Sequence, residues 1–189
     1  MTLLTSWRAN TMSSWDRLEQ HYNDKYRDSS GGDIKLIRHV NRPADRFECA
    51  VKYALHQAGG RYLEVGAGSG ATLLSVAAHY DEIVATDLSD VRARAMNEMF
   101  RERGSKATVI QNNSDTEALP YPDAYFDTAA MTAVIEHLVD PITALKELNR
   151  VLKPGGRLLL DTPNIAKWTR RIKLLFGYFP STASLDEGL

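Results

Sequence analysis

Residues 61–74 read RYLEVGAGSGATLL. Gly66, Gly68 and Gly70 follow one apolar run and precede another. A glycine in a helix interior costs roughly 1 kcal/mol relative to alanine. Three so close together therefore mark a backbone that bends sharply, or one that lies against something a side chain would push away. RYLEV has the apolar character of a short strand, and GATLLSVAAHY has helical spacing. The stretch reads as strand, glycine loop, helix.

The same alternation continues outward. EIVATD is a second strand ending in an acid, and SDVRARAMNEMFRERG is a helix capped by Ser89 or Asp90 and closed by Gly104. KATVIQN and YFDTAAMT are the third and fourth strands. DPITALKELNRVLKPGG is a helix that opens at Asp140-Pro141 and stops before Pro154, and RLLLDTPN is a fifth strand. Upstream, PADRFECAVKYALHQAGG predicts a helix from Pro43 that ends at the Gly59-Gly60 pair. Strands alternating with helices at this pitch define an α/β fold: a doubly wound, mostly parallel sheet with helices on both faces. Runs such as IVA and LLL lack polar alternation, as strands covered on both sides do.

The first 42 residues form a helical leader or cap, with Trp15, Leu18, Tyr22 and Tyr26 at helical spacing and DSSGGD as a loop. Residues 43–164 form the core. Residues 165–189 hold a basic amphipathic helix, about Ile165 to Phe176, and a polar tail.

Composition narrows the function. The 189 residues carry 23 Lys plus Arg against 24 Asp plus Glu, a net charge of −1, which leaves no global basic footprint for nucleic acid. The single Cys49 excludes an internal disulfide framework and a cysteine zinc site, and no metal is expected. The amino-terminal stretch lacks the basic head and apolar core of a secretory signal, and no apolar run is long enough to span a bilayer. The expectation is a cytoplasmic protein.

In open parallel sheets, ligands bind beyond the carboxyl ends of the strands where strand order reverses. The loop Gly66-Ala67-Gly68-Ser69-Gly70 follows the first strand at such an end and offers bare backbone at a helix start. Asp87 lies 21 residues after Gly66, at the end of the second strand, where an acid accepts hydrogen bonds from ribose hydroxyls. A nucleoside-bearing cofactor fits this register; the competing reading is a plain turn whose Asp87 caps the next helix. GAGSGA also satisfies the dinucleotide pattern, so NAD is an alternative. Against it stand the late position of the loop, the short remaining chain and Glu64, an acid inside the first strand that needs a partner such as a ligand ammonium.

Several stretches resemble, in order, the class I S-adenosylmethionine-dependent methyltransferases. LEVGAGSG is similar to their first motif and ATDLS to their second-strand acid motif. SDTEALPYPDAYFD, AVIEHLVDP and ALKELNRVLKPGGRLLLDTPN are similar to the segments that follow, so the resemblance runs from about Arg61 to Asn164. It implies S-adenosylmethionine as cofactor, S-adenosylhomocysteine as product, and a small-molecule, lipid or saccharide acceptor methylated by direct displacement. It also implies roles. Gly66, Ala67, Gly68 and Gly70 would pass under the methionine part, and Glu64 would hold its amino group through water or backbone. Asp87 would take the ribose hydroxyls and Leu88 would pack on the adenine. Asp115 would accept from the adenine amino group, the Thr116 N–H would reach a ring nitrogen, and Thr132 would lie near the sulfonium. The family fold adds two strands after the fifth. The residues after Asn164 are too few for both, so either the sequence is a piece of a longer chain or the tail helix covers an open sheet edge.

A sulfonium methyl is already activated, so alignment carries most of the catalysis, and a base is needed only where the nucleophile must lose a proton. His137 in IEHL is the candidate base, against a reading in which it caps or packs. Glu136 reads as a structural acid bonded to backbone, the other histidines as surface or core residues, and Cys49 as a small buried residue. In the tail, Lys167, Arg170, Arg171 and Lys173 accompany Trp168, Ile172, Leu175 and Phe176. That is a helix docked on the sheet with a solvated basic side, or one that contacts a membrane surface over 165–176. By analogy with the family, Trp15, Tyr22, Tyr26 and Trp168 are candidate walls of an acceptor pocket. Two other functional readings stay open: a cofactor-binding scaffold with impaired catalysis, and an NAD-dependent oxidoreductase.

Overall fold

The computed structural model describes residues 13–26, 34–37, 39, 41–42, 45–164 and 166–178, with Lys25 and Tyr26 described by backbone alone. The expected DSSGGD loop, Pro43, Ile165 and the tail beyond Tyr178 lie outside these residues. So does the side chain of Tyr26.

The leader helix α1 spans Ser14–Tyr26. Ser13 and Asp16 exchange hydrogen bonds at its start, with Ser13 N–H to Asp16 Oδ2 at 2.8 Å and Asp16 N–H to Ser13 Oγ at 3.0 Å. This reciprocal cap satisfies two amides that the first turn leaves open. Helix α2, Arg46–Leu55, is capped by Asp45 and stops short of the glycine pair that was expected to end it. Then come β1 (Arg61–Val65), α3 (Ala71–Val76) with a tight turn over Ala77–His79, β2 (Glu82–Asp87) and α4 (Asp90–Glu102). Strands β3 (Thr108–Gln111) and β4 (Phe126–Thr132) follow, then α5 (Pro141–Val151), β5 (Leu152–Asp161) and α6 (Trp168–Leu175). Ser89 caps α4 and Asp140 caps α5, as the sequence predicts.

The strands pair in the order β3-β2-β1-β4-β5, and every pair is parallel. Strand order therefore reverses between β1 and β4. Helices α2, α3 and α4 cover one face, where Val51, Leu73, Met96 and Phe100 pack on Tyr62, Ile83, Ala85 and Ala130. Helix α5 covers the other, with Ala144, Leu148 and Val151 against Leu63, Val65, Val84 and Met131. Two covered faces explain the unbroken apolar run of β2, whereas the LLL run of β5, expected to be covered on both faces, is not, because Leu158 and Leu160 lie partly open at the sheet edge.

Two expectations change at the end of the sheet. Strand β5 begins at Leu152 rather than Arg157, because Leu152 already pairs with Phe126 before the chain bulges through Pro154-Gly155-Gly156 and re-pairs Arg157 with Thr128. The tail helix is not docked. None of its residues is buried, and Trp168 (68%), Leu175 (81%) and Phe176 (71%) are largely exposed. Helix α6 also starts later than predicted, at Trp168. Leu158 and Leu160 of β5 stay partly open as well, so the described residues leave β5 as an uncovered edge.

Candidate active site

Strand parity decides what meets at the carboxyl edge of the sheet. Tyr62, Ile83, Ala85, Ala130 and Leu159 point into the core under α2, α3 and α4. Two residues on from them along the strands, or one pleat beyond, come Glu64, Asp87, Thr132 and Asp161, which project to that same face. Four polar side chains on four adjacent strands thus line one edge, beside the glycine loop that follows β1.

Glu64 is buried, and its hydrogen bond is weak: the Tyr62 hydroxyl donates to Oε2 at 3.5 Å. Burial pushes its carboxyl up from 4.5 to about 8, and the Tyr62 bond offsets only part of that. Asp87 is also buried. Its Oδ1 accepts from Ser89 N–H at 3.0 Å, and Oδ2 lies 3.8 Å from Arg92 Nε. Burial raises its pKa, opposed by the Arg92 charge and the Ser89 amide. Ser89, not Asp87, caps α4, so the plain capping reading of Asp87 does not account for it. Leu88 is half-buried. The leader stands at this end of the sheet: α1 packs on α4, and Ser89 Oγ donates to Asn23 Oδ1 at 2.5 Å.

The loop glycines divide by cause. Gly66 has φ +79°, and a Cβ there would lie 2.3 Å from Val134 Cγ2. A Cβ on Gly70 would meet Phe100 and Met96 at about 3 Å. Both are demanded by the protein's own packing. Only Gly68, at φ +57°, opens on free space. The Ala67 methyl is buried in the core, so this residue offers only backbone. The amides of Gly66 and Ala67 donate to Thr86 O at 3.0 and 2.8 Å, and that of Gly70 to Ala67 O at 2.8 Å. Those of Gly68 and Ser69 have no acceptor among the described residues. The open backbone amides expected along the whole loop narrow to these two.

At the adenine end the arrangement differs from expectation. Asp115 Oδ1 accepts from Val139 and Asp140 amides, both at 2.8 Å, and so ties this loop to the one after β4. The Thr116 amide is used on Asn113 O at 3.0 Å and is not available to a ring nitrogen in this arrangement. Thr132 ends β4, half-buried, next to Ala133 at φ +54°. His137 sits exposed in a one-turn helix over Ile135–His137, with no hydrogen-bond partner for its ring among the described residues. Glu136 is exposed too, without the backbone bond expected of it among the described residues. Cys49 is half-buried rather than buried. Trp15 and Tyr22 are half-buried on α1, whereas Trp168 faces solvent. No group of three His, Cys, Asp or Glu is placed to hold a metal among the described residues.

A recess of about 270 Å³ lies at the opposite end of the sheet, lined by Gln57, Asp127, Lys153, Gly155 and Arg157. Lys153 Nζ donates to Asp127 Oδ1 there at 2.7 Å. It sits at the amino ends of the strands, away from the edge where parallel sheets bind ligands.

Residues 63–160 match the family described as a methyltransferase domain, more than half of the chain. The chain belongs to this family, the class I S-adenosylmethionine-dependent methyltransferases its motifs resemble. It is similar to the ubiquinone/menaquinone biosynthesis C-methyltransferase UbiE of Serratia proteamaculans, 34% identical over 105 residues, which are 54% of this chain and 42% of that one. The chain thus spans less than half the length of the curated relatives it matches. Among solved structures it is similar to the YcgJ protein of Bacillus subtilis, at 30% identity and TM-score 0.56, covering 60% of this chain and 48% of that one. It is also similar to the [4+2]-cyclase SpnF, at 26% identity and TM-score 0.61, covering 78% and 60%. The expected fold and family are borne out, with S-adenosylmethionine as the family's cofactor. The NAD alternative finds no support.

Proposed function

We propose that the chain transfers a methyl group from S-adenosylmethionine to a small-molecule, lipid or saccharide acceptor by direct displacement. The observation that carries this is the buried, under-partnered Glu64 one strand from Asp87, on one face, beside the open Gly68. Glu64 receives the amino group of the methionine part. Gly66, Ala67, Gly68 and Gly70 form the floor, and Asp87 takes the ribose hydroxyls through the oxygen turned to Arg92. Leu88 packs on the adenine, the second oxygen of Asp115 accepts from its amino group, and Thr116 flanks it by side chain. Thr132 lies by the sulfonium, and His137 serves as base only if its exposed loop folds over the acceptor. The cofactor supplies the activated methyl; these residues bind, orient and exclude water. The leader, 1–42, caps the site; 43–164 carries it; 165–189 supplies the basic helix.

Calorimetric titration should show S-adenosylhomocysteine binding and NAD not binding. Asp87→Ala should weaken the homocysteine form by roughly tenfold or more with the fold intact, the scale of a lost charge-assisted hydrogen bond. Unchanged affinity would remove the ribose assignment. The likeness to a cyclase shows that this fold also carries other chemistry. Homocysteine-form binding without turnover on any acceptor would favour the scaffold reading.

No helix among the described residues is long and apolar enough to cross a membrane. For α6 we propose surface contact: Trp168, Ile172, Leu175 and Phe176 form one outward stripe, flanked by Lys167, Arg171 and Lys173. The protein should sediment with phosphatidylglycerol vesicles and not with phosphatidylcholine vesicles. Equal behaviour with both would overturn the contact.

A further inference from the structure

Two buried side-chain oxygens lack a hydrogen-bond partner among the described residues, Asn112 Oδ1 and Asp161 Oδ2. Asn112 borders a void of about 10 Å³ together with the polar Ser114, Glu117 and Glu147, room for one water molecule. Asp161 is half-buried as a residue, with its Oδ2 turned out of solvent. It is the last residue of β5 and pairs in register with Thr132 of β4. Its carbonyl accepts from Ala133 N–H at 3.3 Å, which fixes its backbone at the site's rim. Strand spacing puts it roughly 5 Å from Thr132 and about 10 Å from the end of β1. It therefore lies on the far side of Thr132 from Glu64 and Asp87, on the face they share.

A carboxylate oxygen removed from water without a donor is costly, and a folded chain leaves few of them. A donor that arrives with a ligand would account for it. The cofactor's polar ends are already met by Glu64 and Asp87 on the other side of Thr132. We propose that Asp161 is an acceptor-binding residue, and that the acceptor is a small molecule with a hydroxyl or amine donor beside the atom to be methylated. This rests on the methyl-transfer reading above. Asp161 accepts the hydrogen bond and so sets the orientation of the acceptor next to Thr132.

The test uses the full chain saturated with S-adenosylhomocysteine, whose own titration is done first. Ligand-observed NMR then measures binding of 1,4-naphthohydroquinone, catechol and tyramine, each beside its form with the hydroxyls or amine capped. At least one uncapped compound should bind roughly tenfold or more tightly than its capped form, and Asp161→Leu should erase that preference. Asp161→Asn, which keeps the size, should weaken the preference and leave the homocysteine-form affinity within about twofold. Both variants should melt no lower than the parent, since a purely structural acid would be missed and this one has no partner to lose among the described residues. Should Asp161→Leu fail to fold, Asp161→Asn carries the comparison. The assignment is overturned if no uncapped compound is preferred, if the preference survives in the variants, or if both variants melt well below the parent. A parent that does not bind S-adenosylhomocysteine instead removes the methyl-transfer reading, and this assignment with it.

Discussion

At pH 7 the Glu64→Gln protein should melt roughly 10 °C above the parent, and near pH 4.5 the two should melt together. The reason is a proton. Folded, Glu64 holds it up to about pH 8, because burial disfavours the charged carboxylate and only Tyr62 helps it. Unfolded, the same group releases it above its ordinary value of 4.5. Between those values the folded state binds the extra proton, so stability is highest at and below the lower one and falls by about 1.4 kcal/mol per pH unit as pH rises to the upper one. That loss is about 3 kcal/mol at pH 7. Glutamine cannot ionise. It resembles the protonated acid, which is why the difference should vanish at low pH.

The gain in stability should come with a loss of binding. If the cofactor's ammonium approaches Glu64, the carboxylate becomes the favoured form and its proton leaves. Titration of the parent with S-adenosylhomocysteine near pH 7 should then release up to about one proton, read from the dependence of the heat on buffer ionisation enthalpy. The Gln variant should release none and bind more weakly. A melting difference that is flat from pH 5 to 8, or identical proton release in both proteins, would show that Glu64 is not the group described here.

The sequence is most readable where one residue type marks one physical event. RYLEV and EIVATD are strands to the residue because a glycine and a helix cap stop them. Ser89 and Asp140 cap their helices for local reasons that a single chain displays. The KPGG stretch reads as a helix stop followed by a strand. Its actual behaviour, a bulge inside β5, depends on Phe126 finding Leu152, a pairing distant in sequence. The tail's amphipathic pattern is legible, yet the pattern cannot say whether anything lies under it, and α6 turns its stripe outward. In the site, Asp87 is legible because an acid ends an apolar strand. Asp161 ends RLLLD in the same way, but its neighbourhood with Thr132 exists only once β4 and β5 are in register. Thr116 shows the reverse: the motif marks the position, but the turn to Asn113 takes its amide.

The glycine loop supplies the other large effect. Gly66→Ala should destabilise the protein by about 2–5 kcal/mol, combining a left-handed backbone with crowding in a packed site. The backbone share arises from φ +79°, and the crowding share from Val134, whose Cγ2 would lie 2.3 Å from the new Cβ. The two shares can be separated. Val134→Ala removes the colliding methyl and leaves φ untouched, so the double variant should be less unstable than the sum of the singles by roughly 1–3 kcal/mol. Gly68→Ala is the control on the same loop. It has φ +57° but open space around it, so only the backbone share, about 1–2 kcal/mol, should remain. Its new methyl would stand where we place the cofactor, so Gly68→Ala should lose more affinity for S-adenosylhomocysteine than its melting temperature implies. Denaturant unfolding and calorimetry on the parent and the four variants give both quantities. Additive single effects, or equal stability losses at Gly66 and Gly68, would mean that Val134 does not press on the loop. A Gly68→Ala protein that binds as the parent does would mean that the cofactor does not lie over it, and the floor of the proposed site would have to be sought elsewhere.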